Sequence, residues 1–180
     1  MSPEMDYQIY GAKDYEYDEF KDFYRDFFIS LMDVNELRFN TFISRKHGVY
    51  IIDAKGAMPT MVNITDISTF QRVDGRSIFS IDKSKLGFEM LEENLPEVDC
   101  DAPDYFYDKT GCFTASINRL IESKIWKYAS LDQITQEKVG ALAETVSRTV
   151  INTANYVYFF SYIDGNWRLT FLDVRKPCEA

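Results

Sequence analysis

At 180 residues and 21.0 kDa, the chain has the length of one domain able to bury its own core without staples. Its 46% hydrophobic and 16% aromatic residues, with 14 Phe and 12 Tyr, exclude a disordered chain. A net charge of -9 and a pI near 4.7 argue against nucleic acid and anionic lipid as partners, since both select a Lys/Arg surface, and charges every few positions leave no apolar run of the ~18 residues a membrane helix needs.

Residues 1–14 are acidic and aperiodic and are expected to form a flexible arm, with 15–180 a single α+β domain. The start has neither a basic nor an apolar signal-type region, so the chain is either cytoplasmic or has lost a signal. Phe20, Phe23, Tyr24, Phe27, Phe28 and Leu31 then repeat at the spacing of one helical face. Asp33 or Asn35 can cap a short second helix through Leu37 and Phe42, and Gly48 marks a break before a predicted strand, Val49 to Ile52. Ala57 to Thr60, with Pro59, reads as a turn, Asp66 to Val73 as a helix and Ser77 to Ile81 as a strand. Lys83 to Asp108 combines Gly87, Pro96 and Pro103 with an acidic run, as expected of an irregular excursion, a lid or an insertion.

Gly111 to Ser116 suits a strand, and Ile117, Leu120, Ile121, Ile125 and Tyr128 form a helical stripe. Ser130 with Gln133 has the form of a capping box for a helix through about Val150, although the β-branched run Thr145 to Thr153 also permits an extended second half. The end of the chain is an aromatic hairpin, Tyr156 to Val174, closed at Asp164-Gly165-Asn166. Period-two alternation puts Tyr156, Tyr158, Phe160 and Tyr162 on one face, and Trp167, Leu169 and Phe171 on a shared face with Asp173. A strand apolar on both sides is covered on both, or covered on one while the other lines a cavity.

Few motifs carry chemistry. Ser80-Ile81-Asp82-Lys83 and Lys109-Thr110-Gly111 match two of the three tetrads and triads of serine β-lactamases, but the intervening S-D-N is missing. His47 is the only histidine, which removes His-pair metal sites, and Asp99, Asp101 and Asp104 lack the glycine and closing glutamate of a calcium loop. No metal and no cofactor is expected. Cys100, Cys112 and Cys178 lack CxxC spacing; in an oxidising compartment Cys100 and Cys112 could close a short loop, leaving Cys178 over.

The run Phe159 to Asp173, with its Asp164-Gly165-Asn166-Trp167 turn, and the helical stretch Phe20 to Phe42 resemble the NTF2-like superfamily, in particular small NTF2-like proteins and lipoproteins of bacterial cell envelopes. The resemblance implies a cone: a curved, mainly antiparallel sheet packed on N-terminal helices and ending in a β-hairpin. It also implies an apolar pocket, here with Tyr158, Phe160, Tyr162 and Trp167 as the ligand-binding residues, and a periplasmic or outer-surface location with the signal removed. Enzymes of that shape use an Asp or an Asp-His pair, for which Asp173 and His47 are the candidates. The favoured expectation is a non-enzymatic domain that binds a small apolar ligand or a protein partner, a second copy included. The alternative is a small isomerase, dehydratase or hydrolase with a buried carboxylate base.

Overall fold

The computed structural model describes residues 3–81 and 89–179, with side chains from Glu16 onward. In chain order the elements are α1 (Pro3–Met32), α2 (Glu36–Asn40), β1 (Val49–Lys55), β2 (Met58–Ile64), β3 (Met90–Glu92), β4 (Cys112–Ala115), α3 (Arg119–Ser123), α4 (Gln133–Ala143), β5 (Val146–Asn152), β6 (Val157–Ile163) and β7 (Asn166–Asp173). The strands form one seven-stranded mixed sheet in the order β2-β1-β7-β6-β5-β4-β3, antiparallel except for the pairs β1/β7 and β3/β4. The fold is therefore α+β, with an open, curved sheet. Helix α1 begins within the stretch expected to be an arm.

The sheet is covered on both faces. On one, α1 lays Phe20, Tyr24, Phe27 and Leu31 against Tyr158, Phe160, Trp167, Leu169 and Leu172, with Phe39 of α2 closing the end. On the other, Val139, Leu142 and Ala143 of α4, with Leu120 and Trp126, pack on Ile52, Val146, Phe159 and Phe171. The Phe160 ring is met edge-on by Phe20, Phe23 and Phe27 at centroid separations of 5.4, 5.6 and 5.5 Å, the geometry that sets a positive ring edge against a negative face. The amphipathic spacing of α1 thus reflects a helix that lays its aromatic stripe onto one face of the sheet.

The terminal hairpin has the expected strands, and its turn is the two residues Asp164 and Gly165, both at positive φ (53° and 75°), as a type I′ turn requires. The distribution of side chains between the faces departs from simple alternation. Phe160 pairs with Leu169 but Phe159 pairs with Phe171, so Thr170 is an extra residue bulged out of β7. Trp167 and Leu169 consequently join Leu172 and Val174 on the α1 face, while Phe171 lies with Phe159 on the α4 face. The expectation of one face for Trp167, Leu169, Phe171 and Asp173 is overturned by that single residue. At the same height β5 has its own irregularity between Val146 and Arg148, which sends Val146 to the α4 face and Arg148 to α1. Bulges on both neighbours of β6 bend the sheet around Phe160.

Other expectations are corrected locally. Pro59 lies within β2 rather than in a turn, which an edge strand tolerates because the missing N–H need not face a neighbour. Asp66 to Val73 holds only the 3₁₀ turn Ile67–Thr69, since Phe70 is already extended. Ser77 to Ile81 is a looped anchor rather than a strand, with Ile78 and Phe79 buried. The stripe from Ile117 to Tyr128 is split into α3 and a 3₁₀ turn (Ile125–Tyr128) by Lys124 at φ 49°. Helix α4 is capped by Asp132, which accepts from the Thr135 N–H, not by Ser130, and it stops at Ala143 so that the β-branched stretch becomes β5. Of the excursion Lys83 to Asp108, residues 83–88 lie outside the described residues; so does Lys83 of the S-x-x-K match.

The disulfide is Cys100–Cys178, with a sequence separation of 78, and Cys112 is a free, buried thiol. The expected Cys100–Cys112 pairing fails because Cys112 sits inside the sheet on β4, its Sγ 3.6 Å from the Tyr24 hydroxyl under α1. Burial pushes its thiol up to about 11.

Candidate functional site

The residues singled out from sequence are placed as follows. Tyr158 and Phe160 are fully buried and Trp167 nearly so, all three filled against by α1. Their rings occupy core volume instead of lining an open space, because α1 takes the position that a ligand would need. Tyr162, next to the turn, is about half exposed and lies 5.3 Å from the Trp167 ring. The Tyr158 hydroxyl donates to Asn155 Oδ1 at 2.8 Å, so its polar end is satisfied within the fold.

Asp173, at the end of β7, is largely buried but committed. Its Oδ1 accepts from the backbone N–H and Nε of Arg175, and its Oδ2 accepts from Nη2 at 2.8 Å, a bidentate pair. A base role would require Arg175 to let go. His47 belongs to the turn before β1, where its N–H donates to Ser44 Oγ and its carbonyl accepts from Asn63 Nδ2. No described interaction joins the two. Among the described residues no group of three or more His, Cys, Asp or Glu side chains is placed to hold a metal ion, and no helix is long and apolar enough to cross a membrane. Lys109 of the K-T-G triad donates to Glu93 Oε1 and the Asn94 carbonyl and lies over the Phe113 ring.

The structure instead opens a cleft of about 700 Å³ between α2 and the tip of the β6–β7 hairpin. Its construction follows from local sequence. Strand β1 pairs with β7 only from Phe171 onward, and nearer the tip its place beside β7 is taken by the loop after α2. The Leu169 N–H donates to the Phe42 carbonyl, and Arg168 Nη1 to the Thr41 carbonyl, both at 2.9 Å. The loop then turns at Ser44 to Gly48. Gly48 is at φ 66°, and a Cβ there would meet the Ile64 carbonyl oxygen at 2.6 Å, so only glycine fits. That turn presents Arg45 outward.

Asn40 ties the opposite wall together, donating to Asp66 Oδ1 and accepting from the Ile67 N–H. Hydrogen bonds from Ser68 and Asn40 hold the Asp66 carboxyl below its usual range. Thr65, Asp164 and the 83% exposed Leu37 complete the lining.

The charges here differ from those elsewhere. Arg25, Arg38, Arg72, Arg76, Arg119, Arg148 and Arg175 each have a carboxylate within 4.0 Å. Arg45 and Arg168 are the arginines among the described residues that have none, and both line this cleft. Arg45 belongs to none of the motifs read from the sequence. Nothing in a one-dimensional pattern could bring it to Arg168, more than a hundred positions away, because the loop that joins them has no secondary structure of its own. A second groove of about 580 Å³ runs between α1 and β3, with Tyr24, Phe28 and Met90 among its walls, but there Arg25 is paired with Asp22.

Comparison with known proteins brings no match: no family model, no curated protein and no solved structure is similar enough to this chain to place it in a family.

Proposed function

We propose that the chain is a non-enzymatic binding or interaction domain, and that its working surface is the cleft between α2 and the hairpin tip. One observation carries this reading: the cleft gathers groups suited to holding a ligand, two arginines without carboxylate partners, an exposed leucine and fixed amide and hydroxyl groups. Such a mixture of apolar surface and a few placed polar groups characterises binding sites. The aromatic face of the hairpin serves as the support that holds the cleft's walls in place.

The NTF2-like relationship belongs to the same proposal. What supports it is a curved sheet, an aromatic N-terminal helix packed on one of its faces and a terminal hairpin with the Asp164-Gly165 turn. Location in an oxidising, envelope-type compartment is proposed on the Cys100–Cys178 disulfide, a bond that reducing cytosol does not maintain.

Titration of the isotope-labelled protein with a chemically mixed set of fragments and short peptides tests the binding reading. Amide shifts are expected to cluster at residues 37–45, 65–66 and 164–168. Shifts confined to the α1–β3 groove, or none at all, would remove the cleft as the working surface. The enzymatic alternative, an isomerase, dehydratase or hydrolase with Asp173 as base, requires a turnover that Asp173→Asn abolishes; binding at the cleft is expected to survive that substitution.

A further inference from the structure

We infer that the cleft recognises an acidic peptide segment, one that carries a carboxylate side chain next to an apolar one. The inference rests on the binding role proposed above and names the ligand's chemistry. In a chain of net charge -9, arginines are readily neutralised by neighbouring acids, and the other arginines of this fold are. Arg45 and Arg168 are held apart from carboxylates by the backbone itself: one projects from the tight Ser44–Gly48 turn, the other is steered by the Thr41 carbonyl, which occupies Nη1 and leaves Nη2 uncommitted. A guanidinium with a free edge is shaped for a carboxylate, which it can hold through two parallel N–H donors. The overall negative charge does not oppose this at short range, since screening in ~0.15 M salt limits exposed charges to about 8 Å.

The remaining walls favour a peptide over a bare anion. Leu37 offers an apolar contact to a side chain. Asp164, at the turn, and the unengaged Oδ2 of Asp66 are acceptors for backbone N–H groups, which a peptide has and a simple anion lacks. Donor, acceptor and apolar groups together match the three things a peptide presents.

The test uses N-acetyl-Leu-Glu-Leu-Glu-amide, its Leu-Gln-Leu-Gln counterpart, and sodium acetate as the carboxylate alone, each titrated into the intact protein and followed by amide shifts. The acidic peptide is expected to move residues 37, 40, 65, 164 and 168, and to bind more weakly as salt is raised. Arg45→Gln should weaken it roughly fivefold or more, as loss of a charge-assisted bond implies. Because the Arg45 side chain makes no hydrogen bond among the described residues, this variant should keep the wild-type melting temperature. Leu37→Ala should weaken it further without altering its salt dependence. Equal binding of the glutamine peptide would overturn the acidic specificity while leaving the binding role intact, and acetate binding as tightly as the peptide would reduce the site to a carboxylate pocket. No shift at the cleft with any of the three would overturn the inference outright; the fragment titration then decides separately whether the cleft binds anything else.

Discussion

The face of the sheet under α1 and the face under α4 are made from alternate residues of the same strands, yet they are filled differently. Toward α1 the core is aromatic, with Phe20, Tyr24, Phe27, Tyr158, Phe160 and Trp167 in edge-on contacts. Toward α4 it is mostly aliphatic and carries a seam of hydroxyls, Thr145 to Ser161 at 2.9 Å and Ser161 to Thr170 at 2.8 Å. The interval between the long α1 and the sheet is filled by rings, and that under the shorter α4 mostly by smaller aliphatic side chains. The hydroxyl seam marks the line where the bulges loosen the backbone ladder and side chains supply hydrogen bonds in its place.

Five substitutions, one of them followed over a series of pH values, sharpen or break that contrast. The largest loss is expected for Phe160→Ala, at which three rings of α1 converge: about 3–5 kcal/mol by urea unfolding. A loss under ~1 kcal/mol would mean that the α1 side repacks freely. Cys178→Ser should cost roughly 2–5 kcal/mol, because it releases a long loop in the unfolded chain while touching neither face.

The third concerns alkaline pH. Unfolded, the Cys112 thiol ionises near 9.0; folded, burial raises it to about 11. Below pH 9 both states keep the proton and the group is silent. Between about 9 and 11 the unfolded chain loses it first, so stability falls with rising pH, on the order of 2 kcal/mol over the interval. Tyr107, pushed up from the ordinary 10.0 to about 12 by burial and the nearby Asp173 charge, extends the decline to higher pH. Unfolding of Cys112→Ala at a series of pH values should show a shallower fall between 9 and 11; an unchanged slope would dissociate the thiol from it.

Thr170→Val tests the α4 side. It keeps the volume but leaves the fully buried Ser161 hydroxyl short of a partner, for about 1–3 kcal/mol. Should it equal Phe160→Ala, the hydroxyl seam rather than the aromatic packing would dominate the fold. Smallest is Asp132→Ala, which removes the cap of α4 and should lower stability by about 1 kcal/mol in thermal melts.

Local patterns carried much of this architecture. The aromatic stripe of α1, the strands β1 and β4, and the closing hairpin were legible because each is set by spacing or by a turn residue within a few positions. The helix through Val150 was not, since apolar residues at helical spacing and a β-branched run compete over Thr145 to Val150, and pairing with β4 and β6 settles it in favour of a strand. The disulfide was misread because proximity in sequence is a poor guide once Cys112 belongs inside the sheet. For the site, three of the residues named from the family resemblance, Tyr158, Phe160 and Trp167, are covered by α1, and the cleft lies on side chains whose relation is visible only in three dimensions. Burial on both faces was one of two arrangements open to so apolar a hairpin, and it is the one found.

Thr170 has a consequence for comparing this chain with others. Deleting it would make Leu169 and Phe171 consecutive, opposite Phe160 and Phe159, and strict alternation would then keep Phe171 toward α4 and Leu172 and Val174 toward α1, where they are now. A one-residue gap at this point in an alignment would therefore leave the layer of every core side chain unchanged. What it would remove is the bend, and with it the hydroxyl that Thr170 offers to Ser161, so the loss would show in the curvature of the sheet and not in its hydrophobic pattern.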